Sequence, residues 1–282
     1  MKRILFYIGS FVLAIVLTFI IYSWNEIAIK TPEGKIYGEI INAGDEHLVI
    51  FTAGSGPTDR NGNSKYLDGK NNSLVSLANE LKKQKISTFR YDKRAVGKSL
   101  KSFDIEDIVF EDFVKDLSSV IEYFRKEGRY KNIYLLGHSQ GSLVSVLAAQ
   151  KENVDGVIYL AGPARSIDEV LIEQLENQEI NEVYNEMLVT VKRLQKERTV
   201  RSESINESQK KILNVETQKF LLSWMKYNPV DEVAKIQTPI IFIYGEADTQ
   251  VKHTEMDFFQ KALGNPNYKI ISQMNHVLKE SP

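Results

Sequence analysis

Apolar positions along this chain switch between two periods, and the switches predict its elements. Leu74, Leu77, Ala78 and Leu81 recur at helical spacing within Asn72–Lys85. So do Phe110, Phe113, Val114, Leu117, Ile121 and Phe124 within Phe110–Lys126. Short apolar runs at His47–Ala53, Ile86–Tyr91, Asn132–Leu136, Asp155–Leu160, Pro239–Tyr244 and Tyr268–Ser272 predict strands. Ser142–Gln150 and His253–Leu263 predict further helices. Ile27–Lys30 and Lys35–Ile41 flank Pro32-Glu33-Gly34 and predict a hairpin. Strands separated by helices imply an α/β fold, a mostly parallel sheet with helices on both faces.

Two stretches depart from this rhythm. Residues 164–228 are charged, helical in pattern and strandless, as in Ile167–Gln178, Asn181–Arg198 and Ser208–Tyr227. An insertion of that kind between two strands predicts a helical cap over the sheet edge. At the other extreme, Ile4 through Trp24 carry no charge after Met1-Lys2-Arg3. A helix of that length spans roughly 30 Å, the thickness of a bilayer's hydrocarbon core. Tyr22 and Trp24 sit where amphipathic rings favour the interface. The run exceeds the usual apolar region of a signal peptide and lacks a small-x-small cleavage pair, so an N-terminal transmembrane helix is preferred over a cleaved signal. Lys2 and Arg3 favour an N-terminus held inside, which places the rest of the chain outside the cell. The expected organisation is an anchor over residues 1–25 and one catalytic domain over 26–282, with the cap at about 164–228.

Composition narrows the function classes. Lys and Arg number 36 against 37 for Asp and Glu, a net charge of −1, which argues against nucleic acid as a partner. There is no cysteine, so disulfides, thiolate metal sites and Cys nucleophiles are excluded. No metal-ligand cluster and no phosphate-binding loop stands out: Gly54–Gly62 is glycine-rich but lacks the G-K-[ST] ending.

Gly137-His138-Ser139-Gln140-Gly141 lies between a predicted strand and a predicted helix. In that context G-x-S-x-G is a nucleophile elbow: the turn is too tight for side chains at its ends, and it presents a serine hydroxyl above the sheet. The helix N-terminus behind it favours a developing oxyanion. The competing reading is a serine in a glycine-rich turn. A serine nucleophile needs a base. His138 sits inside the elbow and is expected to point away, His47 begins a strand, and His253 falls in a helix. His276 follows the last strand in a loop and is the preferred base. Asp248, after the strand Pro239–Tyr244, is preferred over Glu246 as the orienting acid, because Gly245 and the two residues after it let the chain turn first. The chain order Ser139, Asp248, His276 is the one expected of such a fold.

From about residue 35 onward the chain resembles the α/β-hydrolase superfamily. Gly137–Gly141 matches its nucleophile elbow, and Asp92-Lys93-Arg94-Ala95-Val96-Gly97-Lys98-Ser99 resembles its D-x-R-G-x-G-x-S turn, with Ala95 where glycine is usual. Ala53–Asn63 resembles the G-S-G-P-T-D-R-D-G-N stretch of a bacterial serine esterase subgroup, with Asn61 where Asp is frequent; Leu160–Arg165 is also similar to that subgroup. The resemblance implies an oxyanion hole made by the backbone N–H groups of Ser55 and Gln140. It implies a hydrolase that needs no cofactor and takes small-molecule carboxylic esters of short or medium acyl chains. A peptidase of the same fold, using Glu173, Glu176 or Glu179 of the cap to bind an amine, and an inactive membrane-anchored binding protein are the alternatives. Asp59 and Arg60 are expected either to pair structurally or to line the entrance. Relatives usually continue for a helix beyond the histidine, whereas this chain stops at Pro282. The expectation is therefore either a fragment or a His276 loop with little support.

Overall fold

The computed structural model describes residues 25–65, 69–104, 106–177, 182–200 and 214–281. The apolar stretch expected as a membrane anchor lies outside the described residues. Among the described residues no helix is long and apolar enough to cross a membrane.

The strands are β1 (Glu26–Lys30), β2 (Lys35–Ile41), β3 (His47–Thr52), β4 (Ser87–Tyr91), β5 (Asn132–His138), β6 (Gly156–Leu160), β7 (Ile240–Gly245) and β8 (Tyr268–Ile271). They form one sheet in the order β1-β2-β4-β3-β5-β6-β7-β8. The expected hairpin is β1–β2, antiparallel to each other, and β2 runs antiparallel to β4. The pairs from β4 to β8 are parallel. After β3 the chain goes to β4 on one side, then returns to β5 on the other. The carboxyl ends of β3 and β5 therefore flank a topological switch point, where open α/β sheets place their ligands. The register sets Thr52 of β3 beside Gly137 of β5, which brings the two following loops together.

The helices are α1 (Ser73–Lys83), α2 (Phe110–Glu127), α3 (Gln140–Ala149), α4 (Ile167–Glu176), α5 (Glu182–Glu197), α6 (Val215–Trp224), α7 (Pro229–Val233) and α8 (Glu255–Leu263). In α2 the apolar spacing turns Phe110, Val114, Leu117, Ile121 and Phe124 into the core. Its first turn is fixed by the Asp112 carboxylate, which accepts the Val109 N–H at 3.0 Å. Gly128 ends the helix at φ 69°. All ten residues of α3 are buried, so this helix has no solvent-exposed face.

The two faces of the sheet are unequally covered. Helices α2, α3 and α8 build the larger core with Ile50, Phe89, Ile133 and Phe242. On the opposite face α1 packs Leu74 and Ala78 against Val49, Phe51 and Leu136. Beyond α1 an apolar trough of about 680 Å³ remains over β5–β8, lined by residues such as Tyr134, Ile158, Ile243, Met274 and Leu278. The predicted last strand, β8, lies at the sheet edge with all four residues exposed, and its Ile271 lines this trough.

Between β6 and β7 the described residues form α4–α7 and no strand, as the sequence pattern implies. Ser208–Leu213 of the third predicted helix lie outside the described residues. Glu255 of α8 anchors the start of this region. Its buried carboxylate accepts the N–H groups of Ala164 and Arg165, at 2.7 and 3.2 Å, and pairs with the Arg165 guanidinium.

Candidate active site

Ser139 connects β5 to α3 with φ 54° and ψ −121°, a conformation that L-residues rarely adopt. The surroundings force it. A Cβ at Gly137 would lie 2.1 Å from the Gly141 carbonyl oxygen, and one at Gly141 would lie 2.2 Å from that of Thr52. The Ser139 N–H donates to the Leu160 carbonyl at 2.9 Å. The Ser142 hydroxyl donates to the Gly137 carbonyl at 2.7 Å. Because the chain reverses at Ser139, α3 starts at Gln140, two residues before its sequence pattern suggests.

The structure brings Ser139, His276 and Asp248 together. His276 Nε2 lies 3.1 Å from Ser139 Oγ, and His276 Nδ1 lies 2.7 Å from Asp248 Oδ2. A carboxylate beside Nδ1 places the ring proton there and leaves Nε2 as the acceptor facing the serine. Asp248 is buried, and its other oxygen accepts the N–H groups of Gln250 and Val251, both at 2.9 Å. The competing acid, Glu246, is exposed and accepts instead from the Ser272 hydroxyl at 2.7 Å.

The His276 loop is well braced. The Ala247 N–H donates to the Met274 carbonyl at 3.1 Å. Asn275 closes the turn, taking the Lys279 N–H on its side chain at 3.0 Å and donating its own N–H to the Lys279 carbonyl at 2.9 Å. The Ser281 N–H donates to the Gln273 carbonyl at 2.8 Å. His138 adds a brace of its own. Instead of pointing away, its ring packs 5.0 Å from that of His276, and its Nε2 donates to the His276 carbonyl at 2.8 Å. Burial and the neighbouring His276 hold the His138 pKa down to about 3, so it is neutral.

Residues 53–57 pass over the serine. A Cβ at Gly54 would meet Ser139 Cβ and His138 Nδ1, each at 3.2 Å, so only glycine brings the loop this close without displacement. Among the described residues neither the Ser55 N–H nor the Gln140 N–H donates to a protein acceptor. The loop is held from beneath by Lys93, whose Nζ donates to the Gly54 carbonyl and, at 3.0 Å, to the Gly56 carbonyl. The sequence placed Lys93 inside a recognisable turn but showed nothing of this role, because its partners lie in another loop.

The two charged residues after this loop pair structurally. Asp59 accepts the N–H groups of Asn61 and Asn63, and Arg60 pairs with Asp92 at 2.7 Å and Glu26 at 3.0 Å. A pocket of about 240 Å³ opens beside the serine, lined by Gly56, Lys93, Phe113, Gln140, Glu216 and Phe220 among others. His47 hydrogen-bonds Asn132 at the start of β3, and His253, expected to open the helix, lies two residues before α8; both are apart from this cluster. No group of three or more His, Cys, Asp or Glu side chains suited to a metal is found among the described residues.

Known proteins of this kind resemble the chain over most of its length. Esterase EstD of Thermotoga maritima is 24% identical over 236 residues, which is 82% of this chain and 54% of the esterase. The chain thus spans about half the length of that curated relative. Est1E from Butyrivibrio proteoclasticus, in its ferulic acid complex, superposes with a TM-score of 0.63 at 18% identity, covering 90% of this chain and 92% of that one. Proline iminopeptidase of Mycobacterium smegmatis superposes at 0.59 with 12% identity over 89% and 91% of the two chains. These likenesses establish a shared α/β-hydrolase fold. The profile of the family described as "Serine aminopeptidase, S33" matches residues 70–280, and with that match over most of its length the chain belongs to this α/β-hydrolase family.

Proposed function

We propose that the protein is a serine hydrolase of carboxylic esters that works through Ser139, His276 and Asp248. The observation that carries this reading is the unbroken hydrogen-bond relay Ser139–His276–Asp248 at 3.1 and 2.7 Å. His276 Nε2 takes the Ser139 proton as Oγ attacks the ester carbonyl carbon. The tetrahedral oxyanion accepts the N–H groups of Ser55 and Gln140. As the ester C–O bond breaks, His276 returns the proton to the departing alkoxide, leaving an acyl-Ser139. Water, deprotonated by the same imidazole, then releases the acid and restores the serine. Asp248 holds the ring and stabilises the imidazolium throughout.

The pocket beside Ser139, about 240 Å³ with Phe113 and Phe220 in its wall, suits a short or medium acyl group. Residues 164–228 serve in this reading as a cap, because Glu216 and Phe220 of α6 close that pocket. The hydrophobic N-terminus serves as a single-pass anchor that presents the domain outside the cell. A protease-protection assay on spheroplasts tests that placement, and protection of the domain would contradict it. The similarity to esterases, including one seen with ferulic acid, supports an ester substrate.

An aminopeptidase is the second reading, favoured by the Glu216 carboxylate in the pocket wall and by the family's description. Two of the cap acids expected in that role are otherwise engaged: Glu173 pairs with Arg165 and Lys252, and Glu176 with Lys192. Glu179 lies outside the described residues. Hydrolysis of p-nitrophenyl acetate and butyrate beside aminoacyl-naphthylamides separates the two readings. Esters should be turned over and the amides not. Asp248→Asn should lose about 10⁴ in kcat with its fold intact. Wild-type rates in that variant would refute the assignment.

A further inference from the structure

The Asp92-Lys93-Arg94 run puts three charged side chains, each 3% exposed, behind the catalytic loops. Two are neutralised by partners. Asp92 pairs with Arg60 at 2.7 Å, and Arg94 meets Asp116 through two hydrogen bonds of 2.8 Å. Lys93 differs. Among the described residues no carboxylate lies within ion-pair reach of its ammonium. Its contacts are the Gly54 and Gly56 carbonyls and the face of Phe113, 5.4 Å from the ring centre. Burial pulls its pKa down to about 7. A buried lysine without a counter-charge lowers stability relative to an apolar residue of the same shape. Its placement therefore calls for a reason other than folding.

The peptide plane supplies one. The Gly54 carbonyl and the Ser55 N–H belong to the same trans peptide unit and point in opposite directions. An ammonium fixed on that carbonyl turns the N–H to the far side and polarises the amide so that it donates more strongly. The second bond, to Gly56, prevents the unit from rotating. We infer that Lys93 is a positioning residue of the oxyanion hole, locking the Gly54–Ser55 peptide so that the Ser55 N–H faces the oxyanion formed at Ser139. The inference rests on the serine-hydrolase reading above and adds what holds one of its two donors in place. Lys93 touches neither nucleophile nor substrate carbonyl in this role.

The test uses the full-length chain and four proteins: wild type, Lys93→Met, Lys93→Leu and Ser139→Ala. Kinetics on p-nitrophenyl acetate and on the anionic mono-p-nitrophenyl succinate, inhibition by a trifluoromethyl ketone and the melting temperature are measured for each. Removing a whole oxyanion donor costs about 10²–10³ in rate, so releasing one should lower kcat by roughly 10–100-fold in both Lys93 variants. KM should stay within about twofold. Ketone affinity should weaken by the same factor as kcat, because its serine adduct carries the oxyanion. The melting temperature should hold or rise, since an uncompensated charge is removed. Four results would overturn the inference: kcat within about threefold of wild type, a rise in KM at constant kcat, a loss confined to anionic esters, or failure of both variants to fold. The last would make Lys93 a folding residue, and the KM and anionic-ester results would make it a substrate contact. Wild-type turnover that survives in Ser139→Ala, or is absent altogether, would remove the hydrolase reading itself and this inference with it.

Discussion

Two neighbouring loops, proposed above to supply the oxyanion's backbone N–H donors, are held by different physics. The elbow at residues 137–141 is held by sterics. Glycines at both ends admit carbonyl oxygens that no Cβ could approach, and Ser139 is left at φ 54°. The loop at residues 53–57 is held by hydrogen bonds from a buried side chain contributed by a third segment, Lys93. Sterics leave a signature in the local sequence. Long-range hydrogen bonds to backbone carbonyls leave none, because any sequence offers carbonyls.

Substitutions that add one methyl group to each loop test this contrast. Gly141→Ala brings a Cβ within 2.2 Å of the Thr52 carbonyl oxygen, backbone that cannot yield cheaply. It should destabilise the fold by at least ~3 kcal/mol, at the upper end of overpacking effects, and be measured as a fall in the denaturant midpoint. Wild-type stability in this variant would show that the elbow is not sterically locked.

His138 belongs to the elbow and lies against Gly54 of the other loop, so its titration reports on both. Its pKa of about 3 in the folded chain lies below the ordinary value of 6.5. Below that ordinary value the unfolded chain takes up a proton that the folded chain refuses. This contribution should therefore fall with pH between about 6.5 and about 3, by up to ~1.4 kcal/mol per pH unit, and vanish above that window. Replacing His138 with Gln should flatten the dependence in denaturant titrations across pH 4–7 by about that slope. An unchanged slope would contradict a buried neutral ring.

Gly54→Ala should act more mildly. Its Cβ meets Ser139 Cβ and His138 Nδ1 at 3.2 Å, so the loop has to lift by a few tenths of an ångström. About a tenfold loss in kcat, with little change in melting temperature, is expected from a displaced donor. Equal losses of stability in Gly54→Ala and Gly141→Ala would erase the distinction between the loops.

The smallest effect concerns the turn that carries Lys93. Ala95 stands where related turns have glycine, and it adopts φ 68°. Left-handed backbone costs a residue with a Cβ roughly 1–2 kcal/mol. Ala95→Gly should therefore stabilise by up to ~1 kcal/mol, net of the added freedom of the unfolded chain, and leave kcat unchanged. A lower melting temperature would contradict this.

Much of the architecture was legible from periodicity, because the helices and buried strands each turn one consistent set of apolar residues to a core. The boundaries moved where geometry overrode pattern, as at Gln140, where the elbow starts α3 early. Strand β8 was readable as a strand but not as an exposed one, since exposure depends on what covers the sheet face. Ser139, Asp248 and His276 could be picked out from the elbow, the chain order and elimination. The choice of Asp248 over Glu246 rested on turn geometry, and the structure places only Asp248 beside His276. Lys93 and His138 were missed as participants, each because its partner is a backbone carbonyl remote in sequence. The His276 loop, expected to lack support, takes it from Asn275, Gln273 and His138.

Covalent labelling reads the nucleophilicity of Ser139 directly. The full-length protein is treated with a fluorophosphonate, digested and analysed by mass spectrometry. One adduct is expected, on the peptide containing Ser139, abolished in Ser139→Ala and strongly slowed in His276→Ala. Adducts on another residue, or labelling that is unchanged in either variant, would contradict the account.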